Sequence, residues 1–170
     1  MNNKTTLRLK AKSIRKQLDI EKASNILCSK LQRTEIYQKS KHIMLFYPLN
    51  EEVKTLSLLN DSNKSFYLPR VNGQDLEVCP YKEGDKLNFS YFKTQEPISE
   101  AVNLQILDLV IVPALMADKN NFRLGYGKGF YDRFLAKTNA KSVVLIPKEL
   151  IIEKLPTEPH DKPVDLVITD

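Results

Sequence analysis

"LDLVIVPALMADKNNFRLGYGKGFYDRFLAKTNAKSVVLIP", Leu107–Pro147, carries the signals that decide the fold class. It opens on the longest apolar run of the chain, around Leu109 to Ala117, and closes on a second, "KSVVLIP". Continuous rather than alternating apolar runs mark strands buried on both faces, as in parallel sheets. Between them stand glycines at 125, 127 and 129, then "FYDRFLAKT", which reads as a helix. Strand, glycine turn, helix and strand together make a parallel crossover unit.

The pattern extends in both directions. Downstream, "KELIIEKL" predicts a short helix and "PVDLVIT" a final strand. Upstream, Leu7, Ala11, Ile14 and Leu18 form one helical stripe, and Asp19 reads as the N-cap of a second helix burying Ala23, Ile26, Leu27 and Leu31. "HIMLFYP" is a buried strand stopped by Pro48, and "TLSLLN" a short helix. "SFYLPRV" and "LEVCPY" are joined by "NGQD", which predicts a hairpin turning at Asn72–Gly73. Lys82 to Glu100 reads as irregular. The expectation is a single domain over residues 1–170, α/β, with a mainly parallel sheet.

Composition narrows the function. The apolar fraction of 42% and charged fraction of 28% are ordinary for a soluble globular protein. No signal peptide is visible at the N-terminus, and the longest apolar run is too short to span a bilayer. Cys28 and Cys79 share no short motif, which points to a reducing, cytoplasmic setting. With only His42 and His160 besides, a His/Cys metal cage is disfavoured. The net charge of +5 is concentrated before residue 55, including Lys4, Arg8, Lys10, Lys12, Arg15 and Lys16. It reads either as a solvated helix face or as the partner of an anion. No Arg/Gly tract or RNA-binding signature favours nucleic acid, and a small polyanion such as a nucleotide fits as well.

The glycine stretch follows a strand and opens a helix, where free N–H groups collect anions. Glycines let the backbone approach phosphate oxygens, and Arg123 and Lys128 add charge. The Walker A pattern fails because Lys128 precedes Gly129 rather than Ser or Thr, and the dinucleotide fingerprint fails on its third glycine. A flexible turn without a ligand is the competing reading of the spacing alone.

"RLGYGKGFYDRFL", with "DLVIVPAL" before it and "EPHDKPVDLVIT" after it, closely resembles the 5-formyltetrahydrofolate cyclo-ligase family. "KTTLR", "FYPLNEEVKT" and "YLPRV" resemble further family motifs in family order, so the resemblance covers the whole chain from Lys4 to Thr169. It implies a three-layer α/β/α sandwich like those of sugar-phosphate isomerases and CoA transferases. It also implies a monomeric enzyme that uses ATP and Mg²⁺ to close 5-formyltetrahydrofolate to 5,10-methenyltetrahydrofolate, releasing ADP and phosphate.

The resemblance assigns ATP to Lys4, Thr5, Thr6, Leu7 and Arg8, and to Arg123, Leu124, Gly125, Tyr126, Gly127, Lys128, Gly129, Phe130 and Tyr131. Lys128 and Arg123 stand as the catalytic cations. Tyr47 and Glu52 match folate-contacting positions, joined by Tyr126 to Phe130 from a loop that the family uses for both ligands. Asp132 and Asp161 match Mg²⁺ positions, and hard oxygen ligands suit that ion. Each has a bland counterpart: exposed helix charges for Lys4 and Arg8, a helix-dipole acid for Asp132, loop acids for Asp161 and Glu52, with Glu51 an adjacent competitor. Arg70 reads either as a phosphate or glutamate-tail contact or as a salt bridge, and His160 as a loop residue before a catalytic base. The chain departs from the family at Lys54, where an acid is usual, at Phe92–Lys93 in "YFKTQEP", and in "VVLIPKELII". These departures bear on the folate pocket. A basic nucleotide- or RNA-binding module without the ligase chemistry is the alternative.

Overall fold

The computed structural model describes residues 3–90 and 94–170. In chain order come α1 (Lys4–Arg15), α2 (Ile20–Gln32), α3 (Glu35–Lys39), β1 (His42–Met44), β2 (Ser65–Asn72), β3 (Asp75–Pro80), β4 (Leu87–Phe89), β5 (Gln95–Pro97), β6 (Leu109–Ile111), β7 (Met116–Asp118), β8 (Arg123–Leu124), α4 (Phe130–Leu135), β9 (Lys141–Leu145), β10 (Ile151–Ile152) and β11 (Leu166–Ile168).

The central sheet has the order β11-β9-β6-β1-β2-β3. All neighbours are parallel except the β2–β3 hairpin at one edge. Successive side chains on a strand point to opposite faces, and both faces here are buried. Ile43 and Leu45 pack with Ala23, Leu27 and Leu31 of α2 and Tyr37 of α3, while Met44 between them packs with Leu7 and Ala11 of α1. Leu109/Val110 and Val143/Val144 split the same way. This explains the unbroken apolar runs and places helices on both sides of the sheet. Asp19 caps α2 as expected, accepting from the Lys22 N–H at 3.1 Å.

Four expectations need correction. The hairpin turns at Gly73–Gln74, because Asn72 already pairs with Asp75, and Gly73 takes the positive φ of 63° that the turn demands. Lys82–Glu100 is not wholly irregular: β4 and β5 pair as a small antiparallel ribbon. The Phe92–Lys93 departure lies outside the described residues. "KELIIEKL" forms only a single 3-10 turn, Lys148–Leu150, before Ile151 and Ile152 add as β10 to β7, so its apolar pair serves a sheet. The glycine stretch does not leave the central strand directly. A ribbon of β7 and β8 intervenes, and α4 stops at Leu135.

That ribbon is organised by Asp118, which is 2% exposed. Its Oδ1 accepts from the N–H groups of Asn120 and Phe122 at 2.9 and 3.0 Å, and its Oδ2 from that of Leu155 at 2.8 Å. Asn121 takes a left-handed φ of 66° in this turn, a conformation asparagine tolerates. The chain is thereby reversed and Arg123 delivered to the sheet's carboxyl edge.

Candidate active site

A cavity of about 660 Å³ opens beyond the carboxyl ends of β1 and β6, where Phe46, Tyr47 and Pro113 leave the sheet. That is the usual ligand position in open α/β sheets. One face of α1, the loop after β1 and the glycine loop between β8 and α4 meet there, joined by residues of β2, β3 and β5 and by the Glu158–Asp161 segment.

From α1, Lys4 and Arg8 line the cavity. They stand one helical turn apart and so share a face. Thr5 and Thr6 are exposed, and Leu7 enters the core at 2% exposure. Of the five-residue motif, only the two cations present side chains to the cavity. Asn3 starts the helix, its side chain accepting from the Thr6 N–H at 2.8 Å. The Arg8 Nε donates to the Gly125 carbonyl at 2.9 Å, which ties α1 to the glycine loop.

The loop itself, Arg123 to Asp132, lines the cavity throughout. Gly127 and Gly129 have φ values of 103° and 74°, which side-chain-bearing residues rarely adopt. Gly129 also serves as the N-cap of α4. The Arg123 side chain is only 5% exposed and pairs with Asp132, Nη2 to Oδ1 at 3.2 Å. Burial pushes its pKa down, opposed by Asp132, Tyr131 and Asp161, but from so high a starting value the guanidinium stays charged. Its Nε is buried without a partner among the described residues. Lys128 is exposed at the loop's tip, and no described residue pairs with its ammonium.

Asp161 accepts from Lys4 Nζ at 2.7 Å and from the Glu158 N–H at 2.9 Å. Burial raises its carboxyl pKa, but the Lys4 hydrogen bond, the Glu158 N–H and the Lys4 and His160 charges outweigh that and hold it below the usual range. Glu158 and His160 join it at the rim, with His160 Nε2 at 3.1 Å from Glu158. His160 is two-thirds exposed, in keeping with a loop residue. Asp132 and Asp161 thus face one cavity, each already held by a cation. The arrangement offers two hard carboxylates at its basic end, as a phosphate-bound divalent ion needs.

At the other end, Glu52 is buried at 5% exposure. Its Oε1 accepts from the Leu49 N–H at 2.8 Å while its own N–H donates to the Leu49 carbonyl at 3.0 Å, closing a tight turn. Burial pushes its carboxyl pKa up, against the pull of the Leu49 N–H, Arg15, Tyr126 and Lys54. Glu51 does not line the cavity, so the competition between the two acids falls to Glu52. Lys54 Nζ donates to the Leu49 and Asn50 carbonyls at 3.1 and 2.8 Å. The departure from the family acid therefore fastens this loop. Arg70 takes its structural reading: it pairs with Glu77 at 2.8 Å and donates to the Pro97 and Ser99 carbonyls, pinning the β4–β5 ribbon beside the cavity.

Two residues in or behind the cavity wall escaped sequence reasoning. Glu96 lines the cavity and accepts from the Val71 N–H at 2.7 Å. Nothing in the sequence marks it except the Glu-Pro step. Arg15, grouped with the solvated basic residues, is 6% exposed. Its spacing of seven from Arg8 and eleven from Lys4 was the available signal, since all three fall on one helical stripe.

The 5-formyltetrahydrofolate cyclo-ligase family model matches residues 1–170. The chain belongs to the 5-formyltetrahydrofolate cyclo-ligase family. The cyclo-ligase of Mus musculus is 29% identical to it, the match covering 95% of this chain and 87% of that protein. The cyclo-ligase of Haemophilus influenzae is 31% identical over 75% of this chain and 74% of its own. Among solved structures, the 5,10-methenyltetrahydrofolate synthetase of Aquifex aeolicus superposes with a TM-score of 0.86 at 31% identity, covering 98% of this chain and 89% of that one. A 5,10-methenyltetrahydrofolate synthetase from Mycoplasma pneumoniae, at 20% identity and a TM-score of 0.79, shares the fold. Cyclo-ligase membership replaces the alternative of a binding module without ligase chemistry. Among the described residues, no helix of this cyclo-ligase family member is long and apolar enough to cross a membrane.

Proposed function

We propose that the cavity binds MgATP along α1 and the glycine loop and 5-formyltetrahydrofolate against Tyr47 and Glu52, and closes the folate ring between them. One observation carries this reading: a single cavity is lined by Lys4, Arg8 and the glycine loop at one end and by Tyr47 and Glu52 at the other. As a carboxylate, Glu52 can accept two hydrogen bonds from a pterin's ring N–H and amino group. Tyr47 offers a ring to pack on the pterin.

The formyl oxygen is a poor leaving group, and phosphorylation makes it a good one. It attacks the terminal phosphorus of ATP and the bond to ADP breaks. The N10 lone pair then attacks the formyl carbon, the carbon–oxygen bond to phosphate breaks, and N10 gives up its proton to water. Arg123 and Lys128 stabilise charge on the moving phosphoryl group, and loop amides orient it, as such transfers require. Asp132 and Asp161 are the residues that would hold Mg²⁺, which supplies charge neutralisation on the phosphate oxygens when bound.

Purified protein given 5-formyltetrahydrofolate, ATP and Mg²⁺ should form the methenyl product, seen by its near-ultraviolet absorbance, with one phosphate per product. Omitting ATP or the metal should abolish the signal. ATP binding without methenyl formation by folded, Mg²⁺-loaded protein would overturn the proposal.

A further inference from the structure

Arg15 ends α1 behind the cavity wall, almost wholly buried. Its Nη2 donates to the Ala114 carbonyl just beyond β6. Its Nη1 lies 3.4 Å from the Tyr126 hydroxyl and 3.5 Å from the Glu51 carbonyl. Its Nε is buried with no partner among the described residues. Burying a guanidinium with an unpaired N–H is unfavourable for stability alone. The position makes sense if the contacts serve the site. Those contacts reach three separate parts of it: the exit of β6, the turn that carries Glu52, and the tip of the glycine loop. Tyr126 and Glu52 line the same cavity, and their side chains influence one another electrostatically. The other nearby cation, Lys54, has its ammonium engaged by the Leu49 and Asn50 carbonyls.

We propose that Arg15 is a positioning residue: by holding Tyr126 and the Glu52 turn in one geometry, it couples the nucleotide end of the cavity to the pterin end, so that occupancy of either strengthens binding at the other. The inference rests on reading Glu52 as the pterin's partner. Tyr126 belongs to the loop that wraps the nucleotide, so ordering that loop fixes the hydroxyl beside Glu52. The coupling must be reciprocal, because it is a free energy shared by two binding events.

The test measures the affinity for 5-formyltetrahydrofolate with and without a non-hydrolysable ATP analogue and Mg²⁺. It uses the parent protein, Arg15→Met, Arg15→Lys, Tyr126→Phe and Glu52→Gln, each with its melting temperature. In the parent, the analogue should tighten folate binding. In Arg15→Met and Tyr126→Phe, that factor should fall towards one. The KM for the folate should rise roughly ten- to a hundredfold, as for loss of a hydrogen bond to a charged group, with kcat falling less. Arg15→Lys should restore part of the coupling. A purely structural role would lower the melting temperature and leave the factor unmoved. Parental coupling in folded Arg15→Met, or in Tyr126→Phe should Arg15→Met fail to fold, overturns the inference, as does a parent without coupling. Unchanged folate affinity in Glu52→Gln overturns the pterin reading and the inference with it. Weakened affinity there beside parental coupling in the other variants overturns the inference alone.

Discussion

Lys128 and Glu52 show how differently two site residues relate to the fold. Lys128 stands exposed on a glycine loop and takes no part in the core. Lys128→Ala should therefore leave the melting temperature unchanged while removing roughly 2–4 kcal/mol of transition-state stabilisation, the scale of one lost electrostatic donor. Single-turnover rates beside a thermal melt check both halves. Glu52 is the reverse case, a carboxylate whose burial raises its pKa. The folded state then holds the proton more tightly than the unfolded chain does. Ionised Glu52 thus detracts from stability at neutral pH, and the penalty fades as pH falls through the raised pKa towards the ordinary glutamate range. Glu52→Gln should melt higher than the parent near pH 7.5, and the gap should narrow on acidification towards pH 4.5. A constant gap across that range would show that the carboxyl is not the source. Both residues stood in motifs that resemble the family's, "FYPLNEEVKT" and "RLGYGKGFYDRFL", and the structure places both on the cavity. Arg15 was not legible in the sequence, because its burial is decided by Ala114 and Tyr126, about a hundred positions away.

At the scale of elements, α1 works as a strip that carries Lys4 and Arg8 outward to the cavity and Leu7 and Ala11 inward to the sheet. Its first turn depends on the Asn3 cap. Asn3→Ala should weaken the cap by about 0.5–2 kcal/mol. Because Lys4 sits on the turn that frays, the loss should appear as a higher KM for ATP, with that for folate nearly unchanged. Equal shifts in both constants would place the effect elsewhere. The elements read well where period and punctuation agreed: the stripe of α1, Asp19 before α2, and the apolar runs of β6 and β9. They misread where short apolar pairs were free to join either a helix or a strand. Ile151–Ile152 became a strand because β7 offered an unpaired edge, and that edge exists only once Asp118 has shaped its turn. Long-range pairing of this kind leaves no local trace.

For the whole molecule, the candidate metal carboxylates are already satisfied by protein: Asp132 by Arg123 and Asp161 by Lys4. On the proposed function, a divalent ion would serve the reaction and not the fold. Chelation with EDTA should abolish turnover and leave the melting temperature of the ligand-free protein where it was. A fall in that temperature would reveal a metal that holds structure. The mainly parallel sheet and the position of the cavity at its carboxyl edge followed from the order of strands and helices in the sequence. The curvature that brings α1 and the Glu158–Asp161 segment to the same rim did not, since it depends on how the two faces of the sheet fill.

The Lys4–Asp161 pair joins residues 157 positions apart. A chain growing on the ribosome at roughly 5–20 residues per second would carry a finished α1 for about seven to thirty seconds before its partner is made. Through that interval the sheet can assemble strand by strand, but the cavity lacks part of its lining. On the proposed function, affinity for ATP would be a late report that α1 and the Glu158–Asp161 segment have both been made, and nascent chains stalled before Asp161 should be unable to sequester the cell's nucleotide.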